Sequence, residues 1–431
     1  MSYRKHSTQR IMLLATLTLI VAWPSRPASA QTETVLHSFG NGTDGYFLTG
    51  GLVADSHGNL YGTTQYGGTG TCSIGEECGT AFELSPSAIG WTETILHEFG
   101  SNATDGWRPY VGLVMDKSGN LYGTTGDGGA YGDFGTVFEL SPGPGGKWKE
   151  KILHSFGKGN DGVQPDGTLI FDSAGNLYGT TQVGGANGWG TVFEVFQKPG
   201  GGWGESVLHS FANDGKDGYY PLGSVVFDSA GNIYGTTWEG GAHGLGSVYE
   251  VAPKAGGGWK EQVIFSFNGK DGAVPENGFA ADASGNFYGT TLYGGNNSGC
   301  GGDGCGTVYE LAYTGGHWVQ TILHSFAANG TDGFEPEAGL TLDSAGNLYG
   351  TTIFGGTGNC DRGQGCGTVY KLSPGTGGTW TETVYPFVTF ADGYYPEAGV
   401  ILDSAGNIYG TTVHGGAYNG DIDGTVFEIT P

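Results

Sequence analysis

The chain has 431 residues, 88 of them glycine, and sets 42 Asp and Glu against 17 Lys and Arg, a formal charge of −25. Four of those bases (Arg4, Lys5, Arg10 and Arg26) fall in the first thirty residues, which hold no acid, so the rest of the chain opposes 13 bases to 42 acids. A surface so acidic repels phosphate backbones and anionic headgroups, which excludes nucleic acid and membrane surfaces as partners and leaves cations, neutral glycans and basic proteins.

In chain order, the basic head at Arg4, Lys5 and Arg10 is followed by an apolar run from Ile11 to Trp23 and by Ala28-Ser29-Ala30. That is the pattern of a secretory signal peptide, and the run is short of the roughly 20 residues of a membrane span. The expectation is a leader over residues 1–30 and one secreted domain over 31–431, extracellular or periplasmic, with no stable span once the leader is removed.

From there one phrase recurs, Asp-x-x-Gly-Asn-x-Tyr-Gly-Thr-Thr. Its Gly-Asn pairs begin at Gly58, Gly119, Gly175, Gly231, Gly285, Gly346 and Gly406, at steps of 54 to 61 residues. The third copy shows the grammar. Residues 148–156 alternate like a strand, Asp161-Gly162 and Pro165 make a turn-rich crossover, 168–172 form a short apolar strand, and Ser173-Ala174-Gly175-Asn176 is hairpin-turn chemistry. Residues 177–181 and 190–195 supply two more strands. Four short antiparallel strands per unit, without helical periodicity, predict an all-β, seven-bladed β-propeller. A linear β-solenoid has shorter coils and needs capping repeats, which are not visible here.

The ends favour a ring. Residues 33–39 are the strand that elsewhere follows Val-Phe-Glu-Leu-Ser-Pro, and the chain closes on 425–431 with that strand missing. Residues 33–39 should therefore form the outer strand of the last blade, whose other strands come from 399–430. The crossovers and Gly-rich loops then share one face, and that face is where the copies differ. Six cysteines form three close pairs in equivalent loops, Cys72 with Cys78, Cys300 with Cys305 and Cys360 with Cys366, which in an exported protein reads as three local disulfides.

The long motif, as in Glu33-Thr-Val-Leu-His-Ser-Phe39, Asp44-Gly45, Gly51-Leu-Val-x-Asp-Ser-x-Gly-Asn-Leu-Tyr-Gly-Thr-Thr64 and Gly79-Thr-x-Phe-Glu-Leu84, closely resembles the GloVer (Gloeobacter and Verrucomicrobia type) tandem repeat. The resemblance covers residues 31 to 431. It implies an exported bacterial repeat protein, often surface-attached through a C-terminal anchor, with no settled activity. This sequence ends at Pro431 without such an anchor, which favours free secretion, and no catalytic residues carry over.

Repeated residues read as architecture. His37, His97, His154, His209 and His324 lie on outermost strands, too far apart to converge on one ion, and Phe265 and Tyr385 replace them in two copies, as suits a packing position. The Asp of each hairpin (Asp55, Asp116, Asp172, Asp228, Asp282, Asp343, Asp403) reads as a turn cap, since Ca²⁺ needs 6 to 8 oxygens. Trp91, Trp148, Trp203, Trp259, Trp318 and Trp380 read as packing between or over blades, not as a sugar platform. No nucleophile elbow, zincin motif or phosphate loop is present.

Unrepeated residues of the variable face are the binding candidates: Trp189, Trp238, Glu239, His243, Tyr293, Asp303, Phe354, Asp361, His414, Asp421 and Asp423. Aromatics beside carboxylates suit a glycan or protein ligand in a non-enzymatic binding or scaffolding module. A rival reading is a carbohydrate-active hydrolase or lyase using two of these carboxylates. One further position, just before each innermost strand, reads Thr49, Tyr110, Asp166, Leu222, Glu276, Glu337 and Glu397. Three adjacent carboxylates there, with Asp166 across the ring, are a candidate cation site, for Ca²⁺ or an exchangeable hydrated ion.

Overall fold

The computed structural model describes residues 32–431 except 71, 73–76, 296–298, 361–362 and 419–422, so the expected leader, Asp361 and Asp421 lie outside the described residues. Seven four-stranded antiparallel sheets follow one another around a ring. In blade one the strands run outward from the axis as Val53–Ala54, Leu60–Thr64, Thr80–Ser87 and Gly90–Glu98. The second strand of every blade is buried along nearly its whole length, as the unalternating Leu-Tyr-Gly-Thr-Thr run requires.

Closure is as the ends predict. Blade seven orders Ile401–Leu402, Ile408–Thr412 and Thr425–Thr430 outward, and Thr32–Ser38 completes it, with Thr32 opposite Thr430 and Val35 opposite Phe427.

Each hairpin is held by its Asp. In blade one Asp55 Oδ1 accepts the N–H groups of His57 (2.8 Å) and Asn59 (2.9 Å), while Oδ2 accepts Asn59 Nδ2 and the Tyr61 hydroxyl. The same set recurs in the other six blades. All of its oxygens are thereby committed to the turn. Burial alone would raise the Asp55 carboxyl, but the Asn59 and His57 bonds outweigh it and hold it below its ordinary range.

Blades adhere through two ringwide contacts. The Phe that ends each outermost strand meets an aromatic ring of the next blade's third strand: Phe39 on Phe82, Phe99 on Phe138, Phe156 on Phe193, Phe211 on Tyr249, Phe267 on Tyr309, Phe326 on Tyr370 and Phe387 on Phe427. All seven pairs have centroids 4.8–5.2 Å apart. These rings are almost completely buried, and such pairs add about 1 kcal/mol each beyond area burial. Nearer the axis, the first Thr of each Gly-Thr-Thr donates its hydroxyl to a backbone carbonyl of the following blade, as Thr63 does to Val111 (3.2 Å). Thr411 closes the circle on Gly50 (3.2 Å). The outer Trp residues pack between blades: Trp148 lies 6.2 Å from Tyr61 of the preceding blade, and Trp318 lies 5.8 Å from Tyr234 of the preceding blade while stacking over Phe287 of its own.

All three cysteine pairs are disulfides. They fit an oxidising, non-cytoplasmic setting. Among the described residues no helix is long and apolar enough to cross a membrane.

Candidate functional site: the axial mouth on the variable face

The crossover that enters each blade carries a non-glycine residue in the left-handed backbone region. Phe47, Arg108, Gln164, Tyr220, Val274, Glu335 and Tyr395 have φ between 56° and 67°, and six of them precede a proline. That conformation costs of order 1–2 kcal/mol per residue. Two backbone bonds hold it in place. The N–H reaches the loop of the preceding blade, as Arg108 does to Cys78 O (2.9 Å), and the carbonyl accepts from the residue after Thr-Thr, as Arg108 does from Gly126 (3.0 Å).

Two residues further on come the seven positions that the repeat alignment singles out. Thr49, Tyr110, Asp166, Leu222, Glu276, Glu337 and Glu397 all line a single axial cavity of about 370 Å³, with Gln65, Gln164, Gln182 and Asn277 around them. This size suits a small ligand. Glu276, Glu337 and Glu397 sit together on one side. Burial first, then Glu337 and Glu397, push the Glu276 carboxyl well above its ordinary range; Glu337 is raised chiefly by burial, and Glu397 by burial and by Glu337. Across the mouth, burial and then Asp127 raise Asp166 to about 7. Glu276 and Glu397 thereby keep protons at neutral pH, when other carboxylates are ionised.

The crossovers that lead to these positions, and the loops beside them, carry aromatic rings in two groups. Trp189 lies 5.1 Å from Tyr219 and 5.3 Å from Tyr220, Tyr220 lies 6.1 Å from Trp238, and the Tyr219 hydroxyl donates to Glu239 at 2.7 Å. The indole Nε1 of Trp238 is buried and has no hydrogen-bond partner among the described residues. In the second group, spanning blades six, seven and one, Phe354 stacks on Phe334 (5.3 Å) and meets Tyr395 edge-on (5.2 Å). His414 stacks on Tyr394 (5.0 Å) and touches Phe47 (5.3 Å). Beside Tyr110, the Arg108 guanidinium lies over the rings of Tyr66, Trp107 and Tyr110 at 5.4–5.6 Å and pairs with Asp127 at 3.3 Å.

The structure thus brings Trp189, Trp238, Glu239, Phe354 and His414 into aromatic groups. Tyr293 pairs with Ala273 in the corresponding bridge of blade five. His243 and Asp303 are exposed and do not line the cavity, and Asp423 is buried, with its carbonyl accepting from Phe47. Sequence reasoning missed Arg108, Tyr220, Tyr395 and Phe47. Their signal was the position two before each aligned cavity residue, which precedes the crossover proline in six copies and differs in every copy but two.

Fold and mouth define a seven-bladed β-propeller with a ligand-sized axial cavity. The family model for the Gloeobacter/Verrucomicrobia repeat matches residues 70–302 and 297–431, and the chain belongs to that family. No curated protein matches it. Among solved structures it is similar to a fungal alcohol oxidase of the AA5 family in complex with copper, at 13% identity and a TM-score of 0.55 over 92% of this chain and 76% of that one. PorZ, a bacterial surface component of the type-IX secretion system of Porphyromonas gingivalis, matches at 14% identity and a TM-score of 0.43, over 83% of this chain and 44% of PorZ. The chain therefore spans less than half of PorZ. A protein of unknown function from Dyadobacter fermentans matches at 12% identity and 0.45, over 92% and 98%. At these identities the likeness concerns the fold alone.

Proposed function

We propose that this protein is an exported binding or scaffolding propeller whose axial mouth takes a neutral polyhydroxylated ligand, an extracellular glycan. The observation that carries this reading is a cavity of ligand size lined by Tyr110, Gln65, Gln182, Asn277 and the carboxyls of Glu276, Glu337 and Glu397, of which Glu276 and Glu397 hold protons at neutral pH, with ring groups at Tyr220–Trp238 and Tyr395–Phe354 on the neighbouring crossovers and loops. Sugar faces stack on rings, and hydroxyls find both donors and acceptors among carboxyls that titrate near neutrality. A glycan array probed with the secreted protein should give hits that Tyr220→Ala with Trp238→Ala weakens at least tenfold; an array without hits removes the reading.

The same mouth supports a second reading. A carboxyl kept protonated beside an ionised one is the pair that glycoside cleavage uses. Release of reducing sugar from polysaccharides, abolished by Glu276→Gln, would favour a carbohydrate-active enzyme. A cation such as Ca²⁺ would compete for these carboxyls by displacing their protons, and calorimetric titration of chelator-treated protein, repeated on a Glu276, Glu337, Glu397→Gln variant, tests it. Cleavage after Ala30 and release to the medium belong to the same proposal and are read by N-terminal sequencing of the secreted chain.

A further inference from the structure

The perimeter histidines have partners that the linear sequence does not reveal. In six blades the outermost strand carries a β-bulge just before this position, as between the Ala81–His97 and Phe82–Ile95 pairings, and the extra residue re-aims the side chain that follows. At five junctions a histidine thereby meets the Asp of the crossover and a Glu from the outermost strand of the next blade. The sets are His37, Asp44 and Glu93; His97, Asp105 and Glu150; His154, Asp161 and Glu205; His209, Asp217 and Glu261; and His324, Asp332 and Glu382. In each, the ligand atoms lie within 4.8 Å of one another.

The five fall into two kinds. His154 and His209 hydrogen-bond their Asp at 2.8 and 3.0 Å. In the other three, Nε2 stands off from both acids: 3.3 Å from Asp105 and 3.5 Å from Glu150, 3.4 Å from Asp332 and 3.5 Å from Glu382, 3.6 Å from Asp44 and 3.8 Å from Glu93. Those three nitrogens have no hydrogen-bond partner among the described residues, and neither do Asp105 Oδ1, Asp332 Oδ1 or one oxygen of each Glu. Asp105 is 3% exposed and Asp332 8%, so the orphaned atoms are not rescued by bulk water. Among the described residues no Lys or Arg forms an ion pair with any of them.

One imidazole nitrogen and two carboxylates facing an empty centre are a ligand set. For bonds of about 2.0–2.2 Å to a tetrahedral zinc, ligand atoms stand about 3.3–3.6 Å apart, which matches these separations within a few tenths of an ångström. The ligands are already oriented: Ser101 N–H and hydroxyl hold Asp105 Oδ2 at 2.8 Å, Ala327 N–H holds Asp332 Oδ2 at 3.0 Å, and Phe99 packs edge-on against the His97 ring. Where Phe265 replaces the histidine, the next blade offers Gln320 in place of Glu, whereas at the Tyr385 junction Glu33 is retained beside Asp392.

We propose that the junctions at His37, His97 and His324 each bind a divalent transition-metal ion of the zinc type, which clamps neighbouring blades and, at His37, locks the N-terminal strand of blade seven to blade one. Two carboxylates and a dication cancel, so each filled junction buries no net charge. The test titrates chelator-treated, full-length protein with Zn²⁺ by calorimetry and metal analysis. At least three equivalents bind, and Co²⁺ in their place gives visible d–d absorption. His97→Gln lowers the count by one. His324→Phe with Glu382→Gln, which copies the pair already present at the Phe265 junction and so preserves folding, also lowers it by one. Uptake of less than one equivalent, or an unchanged count in a His37, His97, His324→Gln variant, overturns the proposal.

Discussion

At the scale of the residue, glycine shows how one amino acid serves two purposes within a blade. Gly231, in the hairpin of blade four, has φ +85°, and a Cβ there would meet nothing within 4 Å. Gly246, at the start of the third strand, has φ +95°, and a Cβ would lie 2.4 Å from Pro275 Cδ and 2.7 Å from the Thr237 carbonyl. The first position demands only the backbone conformation, and the second demands the absence of a side chain as well. Gly231→Ala should therefore cost about 1–2 kcal/mol, and Gly246→Ala about 3 kcal/mol or more, because blade five's crossover packs against it. Urea midpoints measured at constant m-value separate the two, and equal losses would contradict the packing argument.

At the scale of the element, the outermost strand of blade seven is the decisive piece, since it is the only blade assembled from both ends of the described chain. It pairs along the whole of Thr425–Thr430 and brings Phe39 against Phe82. Removing residues 32–38 strips that partner strand and leaves a free edge along a buried sheet, the circumstance in which strands recruit other chains. The shortened variant should aggregate or melt well below the parent in a thermal scan followed by light scattering, and an unchanged melting temperature would refute closure by this strand.

At the scale of the whole molecule, the acidic composition becomes a pH dependence. Glu33 is raised to about 8 by burial and by Asp392, Asp166 to about 7 by burial and by Asp127, and Glu276 is raised by burial and by its axial neighbours Glu337, Glu397 and Glu335. The folded chain keeps these protons while the unfolded chain releases them near 4, so their contribution is complete at low pH and is lost as pH climbs toward 8. The hairpin carboxyls, such as Asp55 and Asp343, are lowered despite burial by their Asn and backbone donors, and they contribute above pH 3.8 and fade below it. Metal-free protein should accordingly melt highest near pH 5 and progressively lower toward pH 8 in calorimetry with chelator present. A melting temperature that rises over that interval would refute the assignment of buried, proton-holding acids.

Much of this was legible without coordinates, because whatever repeats in the ring repeats in the sequence. Strand order, ring closure, the Asp-capped hairpins, the cysteine pairs and the seven cavity positions from Thr49 to Glu397 all follow from aligning the chain with itself. The tertiary structure decided the contacts made across blades. Arg108 meets Tyr66, Trp189 meets Tyr220, and His97 meets Glu150, each pair dozens of residues apart and each assembled by rotation about the axis. No local propensity encodes that rotation. It arises when buried Phe–Phe and Phe–Tyr pairs set one blade against the next, and only then do a bulged histidine and a neighbour's glutamate come within reach of the same ion.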